Sequence, residues 1–349
     1  MKSTFFALAA VTVLVLNAVG FGLFGGPSGS RQSTALIGIL PESDVVVGID
    51  ARRFFNESMP QILASNQPML TGIMTQLNEI KDKTGIDLRK FDSVAVGMSM
   101  IKVKEKEYDF DPVAVARGDV NAGALIAVAK LAANGKYREE KVGEHTIYVF
   151  SAKSAKVAAA KTAPKGGPAV DSMVDKALDG LMKEIAVTSL DANTIALGSL
   201  ARVRATVEGS TRISAEVAGL LAGKENTVMS FAMRSPEGMS KMLPLDNDEL
   251  GSNIDSIKFV SGAMDVTAAG ASLNVNAQTL KAEQAKGLSE TLEGLQMLGK
   301  AFLGSSKRAD QKIYARLIES AKISRVENNV SLDLLVAQAD IDFLIKSIK

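Results

Sequence analysis

The sequence is short of the residues on which thiol, zinc and stacking chemistry depend. It contains no cysteine, no tryptophan and a single histidine, His145. Without cysteine the chain cannot form disulfides, offer a thiolate nucleophile or carry an acyl group on an N-terminal cysteine. It also cannot build a thiolate or multi-histidine zinc site. Aromatic residues make up only 5% of the sequence, which disfavours stacking surfaces for sugars and nucleic-acid bases.

The chain also lacks an excess of charge of either sign. Its 40 basic residues are balanced by 39 acidic ones, which gives a net charge of +1. No basic field is present to attract nucleic acid, so we expect no nucleic-acid partner. Hydrophobic residues make up 46% of the sequence, enough to form cores. The length of 349 residues leaves room for two domains or one duplicated unit.

One long apolar run stands near the N-terminus. It begins at Phe5, ends at Phe24 and contains no charged residue. This length can span a bilayer, and with Lys2 before it the run has the form of an export signal. Two interpretations stay open for residues 1–24: a signal peptide cleaved after the small-x-small sequence that ends at Gly20, or an uncleaved transmembrane anchor. We favour the anchor because the apolar run continues past Gly20.

The charges that flank this run predict where the rest of the chain lies. Lys2 precedes the run and the next charged residue is Arg31, so the positive-inside rule leaves the N-terminus in the cytoplasm and exports the remainder. Residues 25–33, rich in glycine and serine, are expected to form a flexible linker. The predicted location is the periplasmic side of the inner membrane. If the segment is cleaved, the protein is periplasmic or secreted.

Beyond the linker, strand and helix patterns alternate. Residues 44–50 predict a central strand and residues 91–101 a second one. Apolar residues spaced by three and four from Met69 to Ile80 predict a helix that ends at Gly85. Further predictions are an exposed loop or hairpin tip at residues 102–111, an apolar strand at 122–131, hairpin turns at 143–144 and 191–193, a mobile loop at 151–168, and short helices at 170–182, 200–207 and 214–221.

Three weak internal similarities occur in the same order along the chain. Residues 227–233 are similar to residues 45–49, residues 254–257 to residues 91–94, and residues 323–329 to residues 187–193. We therefore predict an α+β fold of two related halves behind the N-terminal hydrophobic helix. The halves are residues 34–223 and a reduced repeat at 224–349, each a mostly antiparallel sheet packed with amphipathic helices. The alternative is that unrelated α+β segments share common turn residues.

The clearest helix signal of the folded part spans residues 282–303. Its apolar stripe, with spacings of three and four, consists of Ala285, Leu288, Leu292, Leu295, Leu298 and Phe302. Gly287 and Gly294 lie beside this stripe, and because glycine is costly in a helix we predict that a neighbouring element approaches closely there. The expected role of the helix is packing across its own sheet. The alternative is a reversible docking face for a partner or lipid.

No grouping of residues identifies a reaction. His145 lies in a predicted strand with no nucleophile or orienting group evident beside it. The acidic cluster at residues 246–249 does not match the ligand spacing of an EF-hand loop. Candidates for a carboxylate-dependent hydrolase are Asp44, Asp50, Asp87 and Asp92. The first two bracket one strand and are about 20 Å apart. We therefore assign no catalytic, cofactor-binding or metal-binding residue and expect no cofactor.

Three stretches resemble a bacterial family of exported proteins of unknown function. They are residues 40–45 (Leu-Pro-Glu-Ser-Asp-Val), residues 83–94, which include Gly85-Ile86-Asp87, and residues 135–140 together with 146–148. The resemblance covers residues 34–210, and the rest of the chain fits it more loosely. It implies export and a two-part α+β fold, and it adds no catalytic residue because the family has no assigned reaction.

The sequence thus favours an exported envelope protein without enzymatic activity. It would be a binding or interaction module held at the membrane surface by residues 5–24, with a protein or an apolar ligand as its partner. The alternatives are a carboxylate-dependent hydrolase of the periplasm and a purely structural scaffold.

Overall fold

The computed structural model describes residues 35–104, 107–151, 184–224, 227–242, 248–304 and 309–347. These residues form an α+β fold in which helices pack on a large antiparallel sheet. The hydrophobic segment at residues 1–24, the linker at 25–33 and the helix predicted at 170–182 lie outside these ranges, and so does the predicted loop apart from Ser151. Within the described ranges, no helix is long and apolar enough to cross a membrane.

The strands of the described chain form one sheet. Their bounds are β1 Val45–Asp50, β2 Phe91–Lys104, β3 Glu107–Gly118, β4 Tyr137–Val142, β5 His145–Ser151, β6 Glu184–Ser189, β7 Thr194–Gly198, β8 Met229–Arg234, β9 Ile257–Thr267, β10 Gly270–Thr279, β11 Lys322–Val326 and β12 Asn329–Ala337. Their order is β11-β12-β10-β9-β8-β1-β2-β3-β7-β6-β5-β4. Outward from β1 the order is β1-β2-β3-β7-β6, and outward from β8 it is β8-β9-β10-β12-β11.

Helices connect these strands and cover the sheet. Their bounds are α1 Ala51–Arg53, α2 Met59–Ile62, α3 Gln67–Thr84, α4 Ala122–Ala132, α5 Leu200–Glu208, α6 Ala215–Gly219, α7 Asp248–Asp255, α8 Ala282–Gly304, α9 Ala309–Ser320 and α10 Gln338–Ser347. One π-helical segment, Phe54–Ser58, joins α1 to α2. Short 3₁₀ turns lie at Leu88–Lys90 and Met239–Met242.

β1 lies near the middle of the sheet and is buried along its whole length. Val47 is opposite Val96 of β2 on one side and Phe231 of β8 on the other. Because side chains alternate along a strand, Val47 enters the core on one face of the sheet and Val46 enters the core on the other. A strand covered on both faces needs an almost continuous apolar run. The predicted central strand is therefore confirmed.

The two sheets expected from the sequence are joined into one, because β1 pairs with β8 from Val45 opposite Met233 to Ile49 opposite Met229. The larger core also spans this junction. It contains residues of α3 together with Ile341 of α10.

Helix α4 replaces the strand that the sequence predicts at residues 122–131, so that prediction is wrong. The Asn121 side-chain oxygen accepts a hydrogen bond from the Ala124 NH at 2.8 Å, which favours the start of a helix. Leu125, Ala129 and Ala133 are buried. Ala122 and Ile126 are buried as well, so the buried positions are three and four residues apart along one side of the helix, whereas the positions on one face of a strand are an even number apart.

The remaining elements lie close to their predicted bounds. α3 is followed by Gly85 with a φ of +73°, the left-handed conformation that glycine adopts without strain. The predicted hairpins, the short helices α5 and α6 and the long helix α8 are all present. The segment at residues 102–111 is the exposed end of the β2–β3 hairpin, one of the two predicted forms, and the strands continue through most of it, with Ile101 opposite Asp109.

Candidate interaction face on helix α8

The first half of α8 packs on the sheet. Ala285 and Leu288 are buried and form a small core with β12. Gly287 lies against α7, since a Cβ atom at this position would be 3.0 Å from the Asn253 Oδ1 atom. The close approach predicted at Gly287 is therefore confirmed. At Gly294 it is wrong, because a Cβ atom there would have no described neighbour within 4 Å.

The second half of α8 exposes large apolar side chains. Their relative exposure is 47% for Leu295, 72% for Met297, 56% for Leu298 and 78% for Phe302. At about 100° of rotation per residue, the four positions cover an arc of about 160° around the helix axis. We refer to these four residues as the α8 face. The predicted apolar stripe of α8 is therefore buried in the core at the beginning of the helix and exposed to solvent at the end.

The exposed side of α8 changes character along its length. In the first half it carries Glu283, Lys286 and Glu290, all exposed, and an ion pair joins Lys286 to Glu290 at 3.8 Å. In the second half the α8 face takes their place. Polar residues are the usual occupants of a solvent-facing helix side, so the change to leucine, methionine and phenylalanine needs an explanation other than folding.

Helix α9 packs against the second half of α8, on the side opposite the α8 face. The Gln296 side-chain NH₂ donates to the Ile318 carbonyl oxygen at 2.7 Å, and a Cβ atom on Gly299 would lie 2.8 Å from the Ile318 Cδ1 atom. An ion pair between Arg316 and Asp340 connects α9 to α10. The α8 face is therefore presented by a helix that is packed on its other side.

A lysine lies beside the α8 face, and a second lysine is exposed on the neighbouring helix α9. Lys300 is exposed on α8, about 60° around the helix axis from Met297, and Lys312 is exposed near the start of α9. In the sequence, residues 293–312 contain four basic residues and two acidic residues, a net charge of +2 in a chain whose total is +1. The apolar face therefore belongs to a locally cationic part of the chain.

The four candidate carboxylates do not form one site. Asp44 precedes β1 and Asp50 ends it, as the sequence predicts. The Asp44 carboxylate accepts a hydrogen bond from the Met100 NH at 2.9 Å. The Asp50 carboxylate accepts one from the Arg53 NH at 3.0 Å and caps α1. Both side chains thus have local structural roles.

Asp87 and Asp92 are each paired with an arginine. Asp87 accepts two hydrogen bonds from the Arg89 guanidinium, at 2.7 and 2.9 Å. Burial raises the pKa of Asp87, but the hydrogen bonds from Arg89 and the charges of Arg89 and Lys81 outweigh it and place this pKa below its usual range. Asp92 forms an ion pair with Arg52.

Asp92 lines an open cleft of about 410 Å³, together with Arg117, Gly118, Asp191, Ala192 and Asn193. The other acidic residue that lines the cleft is Asp191. One of its carboxylate oxygens lies 3.1 Å from the Arg117 Nη2 atom, and the carboxylate accepts hydrogen bonds from the Asn193 NH and the Thr194 hydroxyl. Burial raises the pKa of Asp191, but these contacts outweigh it and lower that pKa. Both carboxylates of the cleft are therefore paired with arginines, and the lowered pKa of Asp191 makes that carboxylate a poor proton donor or acceptor near neutral pH.

A buried charge cluster, which the sequence did not predict, lies where β1 meets α1. Arg53, with only 3% of its side chain exposed, has its Nη2 atom 3.3 Å from the Asp265 Oδ1 atom of β9. Burial raises the pKa of both Asp50 and Asp265 and lowers the pKa of Arg53. Arg53 and Asp265 are 212 positions apart, so no local pattern could have identified the pair.

Two further sequence candidates can be placed. His145 begins β5, and its Nδ1 atom lies 2.9 Å from the Ser189 carbonyl oxygen, a contact that joins β5 to the end of β6. In the acidic cluster at residues 246–249, Asp246 and Asn247 lie outside the described residues.

Comparison with known proteins gives little further information. No protein-family model matches the chain, and no curated protein matches it. Among solved structures, crystal forms III and I of TP0453 have TM-scores of 0.42 and 0.40 and sequence identities of 9% and 8%. Both matches cover 89% of this chain, and they cover 98% and 96% of the TP0453 chains. Similarity at this level establishes no functional relationship.

Proposed function

We propose that this chain is an exported envelope protein without enzymatic activity, an interaction module that is tethered at the membrane surface and docks through the α8 face. The observation that carries the proposal is the exposure of four large apolar residues on one half of a helix whose other half is core. Contiguous exposed apolar patches mark interaction sites, whereas single exposed apolar residues need no explanation.

The N-terminal run supports the tether. The segment from Phe5 to Phe24 is long enough to span a bilayer, and the charges at Lys2 and Arg31 orient it with the folded part outside the cytoplasm. The absence of cysteine leaves no thiol for a lipid anchor. In this proposal residues 1–24 stay attached and residues 25–33 form the linker. A cleaved signal peptide would instead release the protein into the periplasm or medium.

A duplicated architecture is part of the proposal. The strand order outward from β1 matches the order outward from β8. The three internal sequence similarities fall on β1 and β8, on the start of β2 and the junction of α7 with β9, and on the β6–β7 and β11–β12 hairpins. We infer that residues 34–223 and 224–349 descend from one unit. The resemblance to exported bacterial proteins is consistent with this reading of the first half.

The enzymatic alternative has weaker support. A carboxylate-dependent hydrolase needs at least one carboxylate free to exchange a proton or attack a substrate. Asp44, Asp50, Asp87 and Asp92 each have a hydrogen-bond or ion-pair partner instead. A purely structural scaffold is the other alternative, and it does not account for the apolar character of the α8 face.

Site-specific photocrosslinking in cells tests the proposal. A photoreactive benzoylphenylalanine replaces Leu298 in the full chain. The matched control carries it at Glu283, which is exposed on the same helix about 22 Å away along its axis. We expect an adduct on irradiation from position 298 and none from position 283. Equal labelling at both positions, or none at either, would show that the α8 face is not a docking surface.

The tether is tested by the mass of the mature N-terminus. A retained anchor predicts that the protein isolated from membranes still contains residues 5–24. A mature chain that starts near Phe21 would overturn the tether but leave the docking face in place.

A further inference from the structure

We infer that the α8 face binds the surface of a phospholipid bilayer that contains anionic lipid. This inference rests on the proposed function and names the partner of the same surface. Helices that lie in a membrane interface combine leucine, phenylalanine and similar residues on one side with lysine or arginine beside them. Leu295, Leu298 and Phe302 are exposed on α8, and Lys300 is exposed at the border of the face.

The exposed apolar arc suits a bilayer because it is broad and convex. A side chain enters the headgroup region without needing a complementary pocket, so four residues spread over about 160° of a helix can all be buried at once. Met297, at 72% exposure, lies on one margin of this arc and Leu295, at 47%, on the other. Between them, the largest side chain, Phe302, is also the most exposed at 78%.

Charge complementarity selects an anionic surface. Residues 293–312 carry a net charge of +2, and both Lys300 and Lys312 are exposed. Each basic residue near an anionic bilayer strengthens binding about fivefold. An acidic protein would satisfy the same charge, so it is the competing outcome of the test.

The tether keeps a bilayer within reach. Residues 25–33 and Thr34 connect the apolar run to the first described residue, Ala35. Ten residues of extended chain span at most about 35 Å. If the anchor is retained, the folded part therefore stays near one membrane, and weak binding through the α8 face suffices because the local lipid concentration is high.

The absence of tryptophan makes a clean fluorescence test possible. In the full chain, a Leu298→Trp substitution supplies the only indole, and a Glu283→Trp variant supplies the matched control. Both are reconstituted in vesicles of phosphatidylcholine alone or with phosphatidylglycerol, with brominated lipid as the quencher. We expect quenching and a blue shift from position 298 in the phosphatidylglycerol vesicles only, and no quenching from position 283 in either vesicle.

Charge variants sharpen the test. Adding Lys300→Gln and Lys312→Gln to the Leu298→Trp chain should weaken the bilayer association of the face about fivefold for each lysine removed, and added salt should have the same effect. Lys286→Gln, on the polar half of α8 and paired with Glu290, is the control and should leave quenching unchanged.

Two outcomes would overturn the inference. Equal quenching from position 298 in neutral and anionic vesicles would show that charge does not select the surface. Absence of quenching in both would show that lipid is not the partner. In the second case the photocrosslinking result separates the two proposals: a protein adduct from position 298 leaves the docking face standing, and no adduct removes both.

Discussion

At the scale of single residues, Asp87 shows how contacts with neighbouring residues determine the role of a side chain. Asp87 follows the turn after α3, where its carboxylate caps the 3₁₀ turn at Leu88–Lys90 and binds the Arg89 guanidinium through both oxygens. Bidentate pairing of this kind is geometrically demanding and strong for its size. Asp87, a catalytic candidate in the sequence, therefore has a structural role. Because Arg89 is only two residues away along the chain, this ion pair could have been predicted from the sequence.

Asp87→Asn should lower the free energy of unfolding at pH 7 by about 1–2 kcal/mol, because the amide keeps the cap but loses the charged partner. The pKa of Asp87 is lowered in the folded state. Its contribution is therefore complete above the unfolded pKa of about 3.9 and is lost as the pH falls through the folded value. Urea unfolding from pH 7 down to pH 3 measures this, with the exposed Asp82→Asn as control. A difference that grows towards low pH would contradict the assignment.

Burial on α8 shows what residue spacing can and cannot predict. The spacing places Ala285 and Leu288 correctly in a core, but the same spacing leaves Leu298 and Phe302 exposed. Periodicity identifies one side of a helix, and it contains no information on whether another element covers that side. Likewise, the Arg53–Asp265 pair depends on strands that meet only in the folded chain.

At the scale of elements, helix α8 was predicted closely and α4 was not. Helix α8 has a long stripe of threes and fours that no strand could produce. Residues 122–131 form a short run that is apolar apart from Gly123 and Lys130, and periodicity alone separates a buried strand from a helix poorly at that length. The decisive signal was Asn121, whose side chain caps the first turn.

The two glycines beside the α8 stripe provide a matched pair of substitutions. Gly294→Ala should raise the free energy of unfolding by about 0.5–1 kcal/mol, because alanine favours a helix and the site is open. Gly287→Ala should give no gain, because its Cβ atom would lie 3.0 Å from the Asn253 Oδ1 atom. Urea unfolding of the chain from residue 34 onward measures both variants. A larger gain at Gly287 than at Gly294 would contradict the packing of α8 on α7.

At the scale of the whole molecule, the α+β class could be predicted from the sequence, but the strand order could not. Similar segments along the chain suggested which strands correspond, but the pairing of β1 with β8 joins elements about 180 residues apart and creates one continuous sheet. Such a pairing leaves no local trace, because a strand buried between two neighbours has the same apolar pattern whichever neighbours it has.

The central claim is that the second half of α8 lies on an anionic membrane while the first half stays in the protein core. Hydrogen–deuterium exchange of the full chain, compared between neutral and phosphatidylglycerol-containing vesicles, tests it most directly. We predict slower amide exchange at residues 294–304 in the anionic vesicles and unchanged exchange at residues 282–292. Unchanged exchange at residues 294–304, with new protection elsewhere on the surface, would contradict the account.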